Sequence, residues 1–162
     1  MTTNVNNYTI GKGIVWIKNP FDSGSYAEVG NVSKFTFQPQ LTTLDHFDSQ
    51  SGIKTKDLTV LTEKKGTLTL TMDEWTADNL ALAVYGENVA GTISILSAAD
   101  ISVAVKIVGT NDVGPKYTYE FLRVKMLPNK ELGLIADSWG ELEINGDVLA
   151  VAGEFGTITP VV

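Results

Sequence analysis

The amino-acid sequence predicts a mainly β fold of the sandwich or barrel kind, with one α-helix and one long loop between strands. Apolar and polar residues alternate with a period of two along several segments, and β-branched residues are frequent in them. Glycine, asparagine and proline separate these segments, as turns require. The 162 residues fit one domain, 1–162, which buries roughly 70% of its unfolded surface and so needs neither metal nor disulfide.

The first half of the chain contains three segments with strand character. Residues 13–18 are apolar on both faces, so they require cover on both sides of the sheet. Residues 34–38 turn two phenylalanines to one face. Residues 66–72 alternate most regularly, with leucine and methionine on one face and threonine on the other. We expect the apolar face of each segment to form the core.

The second half contains two further strands. Residues 101–108 are apolar on nearly both faces, and residues 116–126 carry aromatic side chains on one face and aliphatic side chains on the other. Residues 109–115 contain glycine and proline and are predicted to connect these two strands. This apolar surface exceeds what a lone sandwich needs, which favours an obligate oligomer.

A β-hairpin is predicted over residues 141–151. Alternating apolar residues flank Asn145 and Gly146 in this stretch. Both residue types adopt positive φ readily, as a type I′ turn requires, so the turn is expected at this pair.

One helix is predicted, over residues 76–85. Thr76 is a suitable N-cap, and Asp78 interacts favourably with the helix dipole. Gly86 is expected to end the helix in the left-handed conformation. Its apolar residues do not form a single stripe, so we expect the helix to be packed on more than one side.

The composition argues against several classes of function. The formal net charge is −7 and the sequence pI is about 4.6, which disfavours tight binding of nucleic acid. The chain has no cysteine, which excludes disulfides and thiolate sites. The first residues show no secretory signal, and the longest apolar run, Leu80–Tyr85, is far shorter than the ~20 residues that span a bilayer.

Catalytic and metal-binding residues are not predicted. His46, the single histidine, lies between Asp45 and Asp48, a pattern compatible with a general base or half of a metal site. One histidine without cysteine does not build a typical zinc site, so a surface position is the simpler interpretation. The carboxylates lie mostly at strand ends or on polar faces. We therefore expect no enzyme activity, no metal and no cofactor.

Charge is distributed unevenly along the chain. Residues 49–66 contain four lysines and two acidic residues, whereas residues 141–162 contain four acidic residues and no lysine or arginine. Solvated loops are one explanation. The alternative is that these opposite charges meet between neighbouring copies and fix their register.

The stretch Leu44-Asp-His-Phe-Asp-Ser-Gln-Ser-Gly-Ile-Lys-Thr-Lys-Asp-Leu58 resembles the tail-tube subunits of siphophages, the long-tailed bacteriophages with non-contractile tails. In that family a similar stretch precedes alternating strands, here Lys65–Met72. The order of further segments also resembles the family: 11–17, the helix at 78–86, and the ending at 140–155. The resemblance covers nearly the whole chain.

The resemblance implies a tail-tube fold whose copies form hexameric rings, stacked into a hollow tube through which DNA is ejected. Strands near 34–47 and 58–72 would join between copies into one barrel, which removes their exposed edges. The loop at 48–57 would reach the adjacent ring, and arms at 1–10 and 155–162 would lock the layers.

Two sets of contact residues follow by position. The inter-ring and inter-subunit set comprises Asp48, Ser49, Gln50, Ser51, Gly52, Ile53, Lys54, Thr55, Lys56 and Asp57. The predicted lumen-facing set comprises Glu63, Thr67, Thr69 and Thr71.

The resemblance also implies partners and a location. The main partner is the chain itself, joined by a tape measure protein, a tail terminator and a distal tail protein. DNA would pass through without specific binding, and no membrane would be bound. The protein would be a virion tail protein that assembles in the host cytoplasm.

Three alternatives stay open. A carbohydrate-binding or adhesin β-sandwich would use exposed aromatic platforms, for which Trp16, Trp75 and Trp139 are candidates. A glycosidase-like jelly roll would need a pair of carboxylates. The tube protein of a contractile injection system shares the tail-tube architecture.

Overall fold

The computed structural model describes residues 3–19, 24–128 and 131–162, and these residues form a mainly β fold. Residues 1, 2, 20–23, 129 and 130 lie outside the described part. The strands and the α-helix are, in chain order, β1 (Gly13–Lys18), β2 (Ala27–Glu28), β3 (Val32–Asp48), β4 (Thr55–Met72), α1 (Ala77–Ala83), β5 (Glu87–Val89), β6 (Thr92–Ser94), β7 (Ser102–Gly109), β8 (Tyr117–Leu127), β9 (Leu142–Val148) and β10 (Gly156–Pro160).

The main sheet is antiparallel and has the order β2-β1-β7-β8-β9-β4-β3, with β10 paired to β8. Strands β5 and β6 form a separate hairpin. The sheet curls until the first part of β3 approaches β8, where the rings of Phe35 and Phe37 lie 6.2 and 5.0 Å from that of Phe121. The predicted sandwich-like or barrel-like β fold is confirmed.

The core lies inside this curl and is formed by alternate residues of the central strands. Residues 66–72 behave as predicted, because Leu68, Leu70 and Met72 are fully buried. Strand β9, next to β4 in the sheet, contributes Leu142 and Ile144, and β8, next to β9, contributes Val124 and Met126. The period-two pattern therefore places these side chains correctly.

The helix forms where it is predicted and is slightly shorter than expected. The Thr76 hydroxyl caps it by accepting a hydrogen bond from the Asn79 amide at 3.2 Å. The end differs from the prediction, because Tyr85, with φ 52°, takes the left-handed conformation in place of Gly86. Gly86 is required for a different reason, since a β-carbon there would collide with the carbonyl oxygen of Ser94.

The predicted turn at Asn145 and Gly146 is wrong, because both residues lie inside β9. Gly146 pairs with Leu68 of β4, and a β-carbon on it would come within 2.5 Å of Val124 Cγ1. Gly146 therefore allows the side chain of Val124 to pack closely against β9. The tight turn lies seven residues later, where Ala152 and Gly153 have φ of 51° and 86° between Val151 and Glu154.

The two terminal segments differ from each other. Residues 3–10 of the predicted N-terminal arm are exposed and contain a short 3-10 turn at Val5–Asn7. They are held by the buried Asn111, whose amide donates to Thr9 Oγ1 at 3.2 Å. The predicted C-terminal arm, 155–162, is not a free arm in this structure, because residues 156–160 pair with β8 as β10.

Candidate assembly interface

The hairpin of β3 and β4 extends far beyond the rest of the sheet. Strand β9 pairs with β4 only over residues 66–72, where the Leu70–Ile144 pair belongs to the core. Beyond Gly66 the two strands pair only with each other, and within the described part of the chain nothing pairs with the other side of β3. We call residues 40–65 the ribbon. Its strands are roughly 30 Å long at about 3.3 Å per residue, and both edges are unpaired.

The loop at the ribbon tip is shorter than predicted. Strand β3 continues to Asp48 and β4 begins at Thr55, so the connection comprises residues 49–54. Asp48 orders its start by accepting a hydrogen bond from the Gln50 amide at 2.9 Å. The other predicted contact residues, Thr55, Lys56 and Asp57, are exposed strand residues. All ten predicted contact residues thus lie at or next to the tip.

Both faces of the ribbon carry exposed apolar side chains. The register pairs Leu44 with Val60 and His46 with Leu58 on the face turned away from the core. Leu41, Phe47 and Leu61 lie on the other face. Clustered apolar side chains on a protein surface mark interaction sites. The sequence analysis placed these residues in the barrel strands near 34–47 and 58–72 but did not single them out as an exposed apolar surface.

Ion pairs lie along the ribbon between these apolar residues. Lys56 Nζ lies 2.8 Å from Asp45 Oδ1, and Thr59 donates to the same oxygen at 2.9 Å. The hydrogen bond from Lys56, followed by that from Thr59, lowers the pKa of Asp45 below its ordinary value. All three side chains are solvated, so the ion pair contributes little to stability.

A second pair lies nearer the sheet, where Lys65 Nζ is 2.7 Å from Glu63 Oε2. The hydrogen bond between them lowers the pKa of Glu63 and raises that of Lys65. Glu63 therefore keeps its charge at mildly acidic pH.

His46 lies on the exposed ribbon and not in a catalytic cleft. Its Nδ1 atom is 2.7 Å from Asp57 Oδ1, whereas Asp45, its neighbour in sequence, lies on the other face of the ribbon. Among the residues that the structure describes, no group of three or more histidine, aspartate or glutamate side chains is placed to hold a metal ion.

The predicted lumen-facing residues share one face of the sheet. Glu63, Thr67 and Thr69 pair with Thr42, Gln38 and Thr36 on the face turned away from the core. Thr71 shares this face and is only 6% exposed, so it offers almost no surface to a lumen. The face is polar near the sheet and becomes apolar toward the ribbon tip.

A second apolar surface lies in the loop between β8 and β9, of which residues 131–140 are described. Ile135 is 99% exposed and Trp139 is 95% exposed, and Leu134 is exposed beside them. Trp139 and Trp75 line a cleft of about 390 Å³ with Asp73, whose carboxylate accepts hydrogen bonds from Asn31. The third tryptophan, Trp16, is half-buried in β1. A tryptophan and an isoleucine this exposed are typical of contact residues.

A polar cluster surrounds Tyr26 on the face of the sheet that is turned away from the core. Its hydroxyl donates to Glu120 Oε1 at 2.7 Å, and the ammonium groups of Lys18 and Lys106 lie 4.8 and 5.5 Å from its ring centre. Partial burial, and then the contact with Glu120, raises the pKa of Tyr26 well above its ordinary value. The phenol therefore stays protonated in the folded chain at pH values that ionise it in the unfolded chain.

This difference predicts a loss of stability at alkaline pH. The folded state holds the Tyr26 proton longer than the unfolded state, so the contribution is complete below pH ~10 and is lost as the pH rises above that value. We expect Tyr26→Phe to weaken the alkaline decline of the unfolding free energy, measured by denaturant melts between pH 8 and pH 11 or so. The exposed Tyr8→Phe is the matched control. An unchanged alkaline decline in Tyr26→Phe would contradict the assignment.

A family model described as "Protein of unknown function UCP028589" matches residues 8–94, more than half of the chain. The chain belongs to this family. The part that matches the UCP028589 model runs from the N-terminal arm through β6 and includes the whole ribbon. Comparison with curated protein sequences gives no match. No helix among the described residues is long and apolar enough to cross a membrane.

Proposed function

We propose that the chain is a structural protein without enzyme activity: the subunit of a phage tail tube, which forms hexameric rings stacked into a hollow conduit for DNA. The observation that carries this proposal is the ribbon. Residues 40–65 form two long paired strands with two unpaired edges and apolar side chains on both faces, and nothing in the described chain covers them.

Pairing between copies satisfies both ribbon edges. Backbone N–H and C=O groups along an unpaired edge bind further strands, and a closed barrel is the arrangement that leaves no edge. The free edge of β3 in one copy would pair with the free edge of β4 in the next. Each copy contributes the same two strands to this head-to-tail contact. A closed ring forms when the rotation that relates neighbouring copies adds up to one full turn.

The polarity gradient of the ribbon fits a tube with stacked rings. Glu63 at the base of the ribbon, with Thr67 and Thr69 beyond it on the same outward face of β4, would line the lumen. The apolar half, with Leu44 and Val60, lies toward the tip, where the adjacent ring would cover it. The formal net charge of −7 for the whole chain disfavours tight binding of DNA, since like charges repel over a screening length of ~8 Å at physiological salt.

The other partners and the location rest on the resemblance to siphophage tail-tube subunits. They are a tape measure protein, a tail terminator and a distal tail protein, within a virion tail that assembles in the host cytoplasm. A head-to-tail contact between rings has no natural end, so an assembly of this kind requires a separate protein to set its length.

Electron microscopy of the purified chain at rising concentration tests the proposal. We expect rings or tubes of uniform bore to appear, with sedimentation velocity showing a shift from monomer to large species. A chain that stays monomeric at the highest soluble concentration, also in the presence of its tail partners, would rule out a tube subunit.

One observation favours a second candidate, the carbohydrate-binding module. Two tryptophans and the Asp73 carboxylate share the cleft beside the β8–β9 loop. Sugar rings stack on such aromatic surfaces, and carboxylates accept hydrogen bonds from sugar hydroxyl groups. Glycan binding by the monomer that Trp139→Ala abolishes would favour this candidate. The tube of a contractile injection system would give the same rings, and the presence or absence of a sheath-binding partner separates it from the first proposal.

A further inference from the structure

A β-bulge turns Asp57 to the same face of the ribbon as the single histidine of the chain. His46 of β3 pairs with Leu58 of β4. The next pair along the ribbon joins Phe47 to Lys56, which leaves Asp57 as one extra residue in β4. Regular alternation would place Asp57 on the face opposite to Leu58. The bulge instead brings its Oδ1 atom to 2.7 Å from the Nδ1 atom of His46. We call these two residues the histidine pair.

Exposed apolar side chains surround the histidine pair on the face turned away from the core. Leu44 lies two residues before His46 on the same strand, and its partner across the ribbon is Val60. Leu58 lies directly opposite His46. These apolar side chains, like the imidazole, are exposed in the free chain. A surface that covers them would therefore cover the histidine pair as well.

The carboxylates near the tip of this face have no lysine or arginine as a partner. Asp48 is the next residue of β3 on the same face, and it accepts a hydrogen bond from the Gln50 amide. Within the described ranges, no lysine or arginine lies at ion-pair distance from Asp57 or from Asp48, and Lys54 in the tip loop forms no ion pair. The charge of this region therefore depends on the protonation of the imidazole.

The other ion pairs of the ribbon keep the same net charge near neutral pH. Asp45 and Lys56 pair on the opposite face, and Glu63 and Lys65 pair nearer the sheet. Aspartate, glutamate and lysine all stay charged between about pH 6 and 8. Imidazole is the side chain that titrates in this range. Of the three ion pairs printed by the geometry of residues 40–65, the histidine pair is thus the one whose net charge changes there.

We propose that assembly of the chain takes up a proton at His46, so that the contact between stacked rings strengthens as the pH falls from about 8 to about 6. The proposal rests on the proposed function, because it needs an adjacent ring to cover this part of the ribbon. With a neutral imidazole, the covered histidine pair would keep an uncompensated negative charge. With an imidazolium, it would be an ion pair without net charge. Burial of an uncompensated charge costs more, so the covered state favours the protonated form.

This linkage has a definite sign and an upper limit. The covered histidine pair binds its proton more tightly than the exposed pair does, so the stabilisation is present at low pH and is lost as the pH rises. Uptake of one proton per copy changes the critical concentration, the lowest concentration at which large species form, by at most about tenfold per pH unit.

Sedimentation of the chain at a series of concentrations and pH values measures this effect. We expect the critical concentration of the original chain to fall severalfold for each unit of decrease in pH between about 8 and 6. His46→Gln removes the titrating group, so its critical concentration should be nearly independent of pH. Asp57→Asn removes the negative charge that the proton compensates, so the fall should be lost in this variant too.

Asp45→Asn is the matched control. It also removes one carboxylate from the ribbon, but from the opposite face, where Lys56 is its partner. We expect this variant to keep the pH dependence of the original chain, whatever its absolute critical concentration. Circular dichroism of each variant at both ends of the pH range checks that the fold is retained.

The outcomes separate this proposal from the tube proposal. Rings or tubes whose critical concentration has the same pH dependence in the original chain as in His46→Gln or Asp57→Asn would overturn the proton uptake and leave the tube proposal standing. A critical concentration of the original chain that rises as the pH falls would also overturn it. A chain that never assembles at any pH would remove both.

Discussion

Leu44→Asp should abolish tube formation and leave the folded monomer intact. Leu44 is 67% exposed and pairs with Val60 across the apolar face of the ribbon, so the new carboxylate stays solvated in the free chain. In a stacked tube the same carboxylate would be buried without a partner, which costs several kcal/mol per copy. Because this cost recurs in every copy, we expect no tubes to form.

The measurement is electron microscopy and sedimentation of the variant beside the original chain, with a thermal melt to confirm the fold. Ile95→Asp is the matched control, since Ile95 is about as exposed as Leu44 and lies off the ribbon. We expect the control to assemble normally. Normal tubes from Leu44→Asp would show that this face of the ribbon is not an interface.

Leu70→Ala should strongly destabilise the fold. Leu70 is fully buried and pairs with Ile144 across β4 and β9, so truncation leaves a cavity in the centre of the core. Cavities of this kind cost about 2–5 kcal/mol, and each kcal/mol lowers the melting temperature of a chain this size by roughly 2–4 °C.

Denaturant melts of Leu70→Ala and Leu44→Ala provide the comparison, since both variants remove the same atoms from neighbouring strands of one hairpin. We expect Leu44→Ala to change the unfolding free energy by less than about 0.5 kcal/mol. Equal losses in both variants would mean that the ribbon is packed against the core in solution.

Local alternation predicted the central strands well. Residues 66–72 follow one unbroken period of two, and the faces assigned from that pattern agree with the buried Leu68, Leu70 and Met72. The same reasoning gave strands 13–18, 101–108 and 116–126 close to their observed bounds. Periodicity succeeds here because one face of each strand packs on the core along its whole length.

Periodicity failed along the ribbon for a physical reason. Two register shifts, at Thr42/Thr43 and His46/Phe47, interrupt the pairing, and no core imposes one apolar face there. The strand extents of 34–47 and 58–72 came from the resemblance and agree with β3 and β4, whereas their role in a barrel stays a prediction. The full exposure of Ile135 was not predicted; the three apolar residues within six positions of this loop, Leu134, Ile135 and Trp139, were the available signal.

The turn at Asn145 and Gly146 shows the limit of dipeptide reasoning. The pair satisfies the local requirement of a type I′ turn. Yet glycine is needed at position 146 because the side chain of Val124, 22 positions away in sequence, leaves no room for a β-carbon. Ala152 and Gly153 form the observed turn with a weaker local preference. Contacts between distant strands outweigh such preferences when a glycine allows the strands to approach.

Strand β4 changes character at Gly66, because residues 66–72 pair with both β3 and β9, whereas residues 55–65 pair with β3 alone. The hydrogen bonds of residues 66–72 are therefore expected to open only when the whole molecule unfolds. Those of residues 55–65 are expected to open by local fraying. In the proposed tube, ordering this part would cost conformational entropy, which the first two copies to meet would have to offset alone, while later copies would find a template already formed. We therefore expect the proposed tube to start slowly and to extend quickly once started.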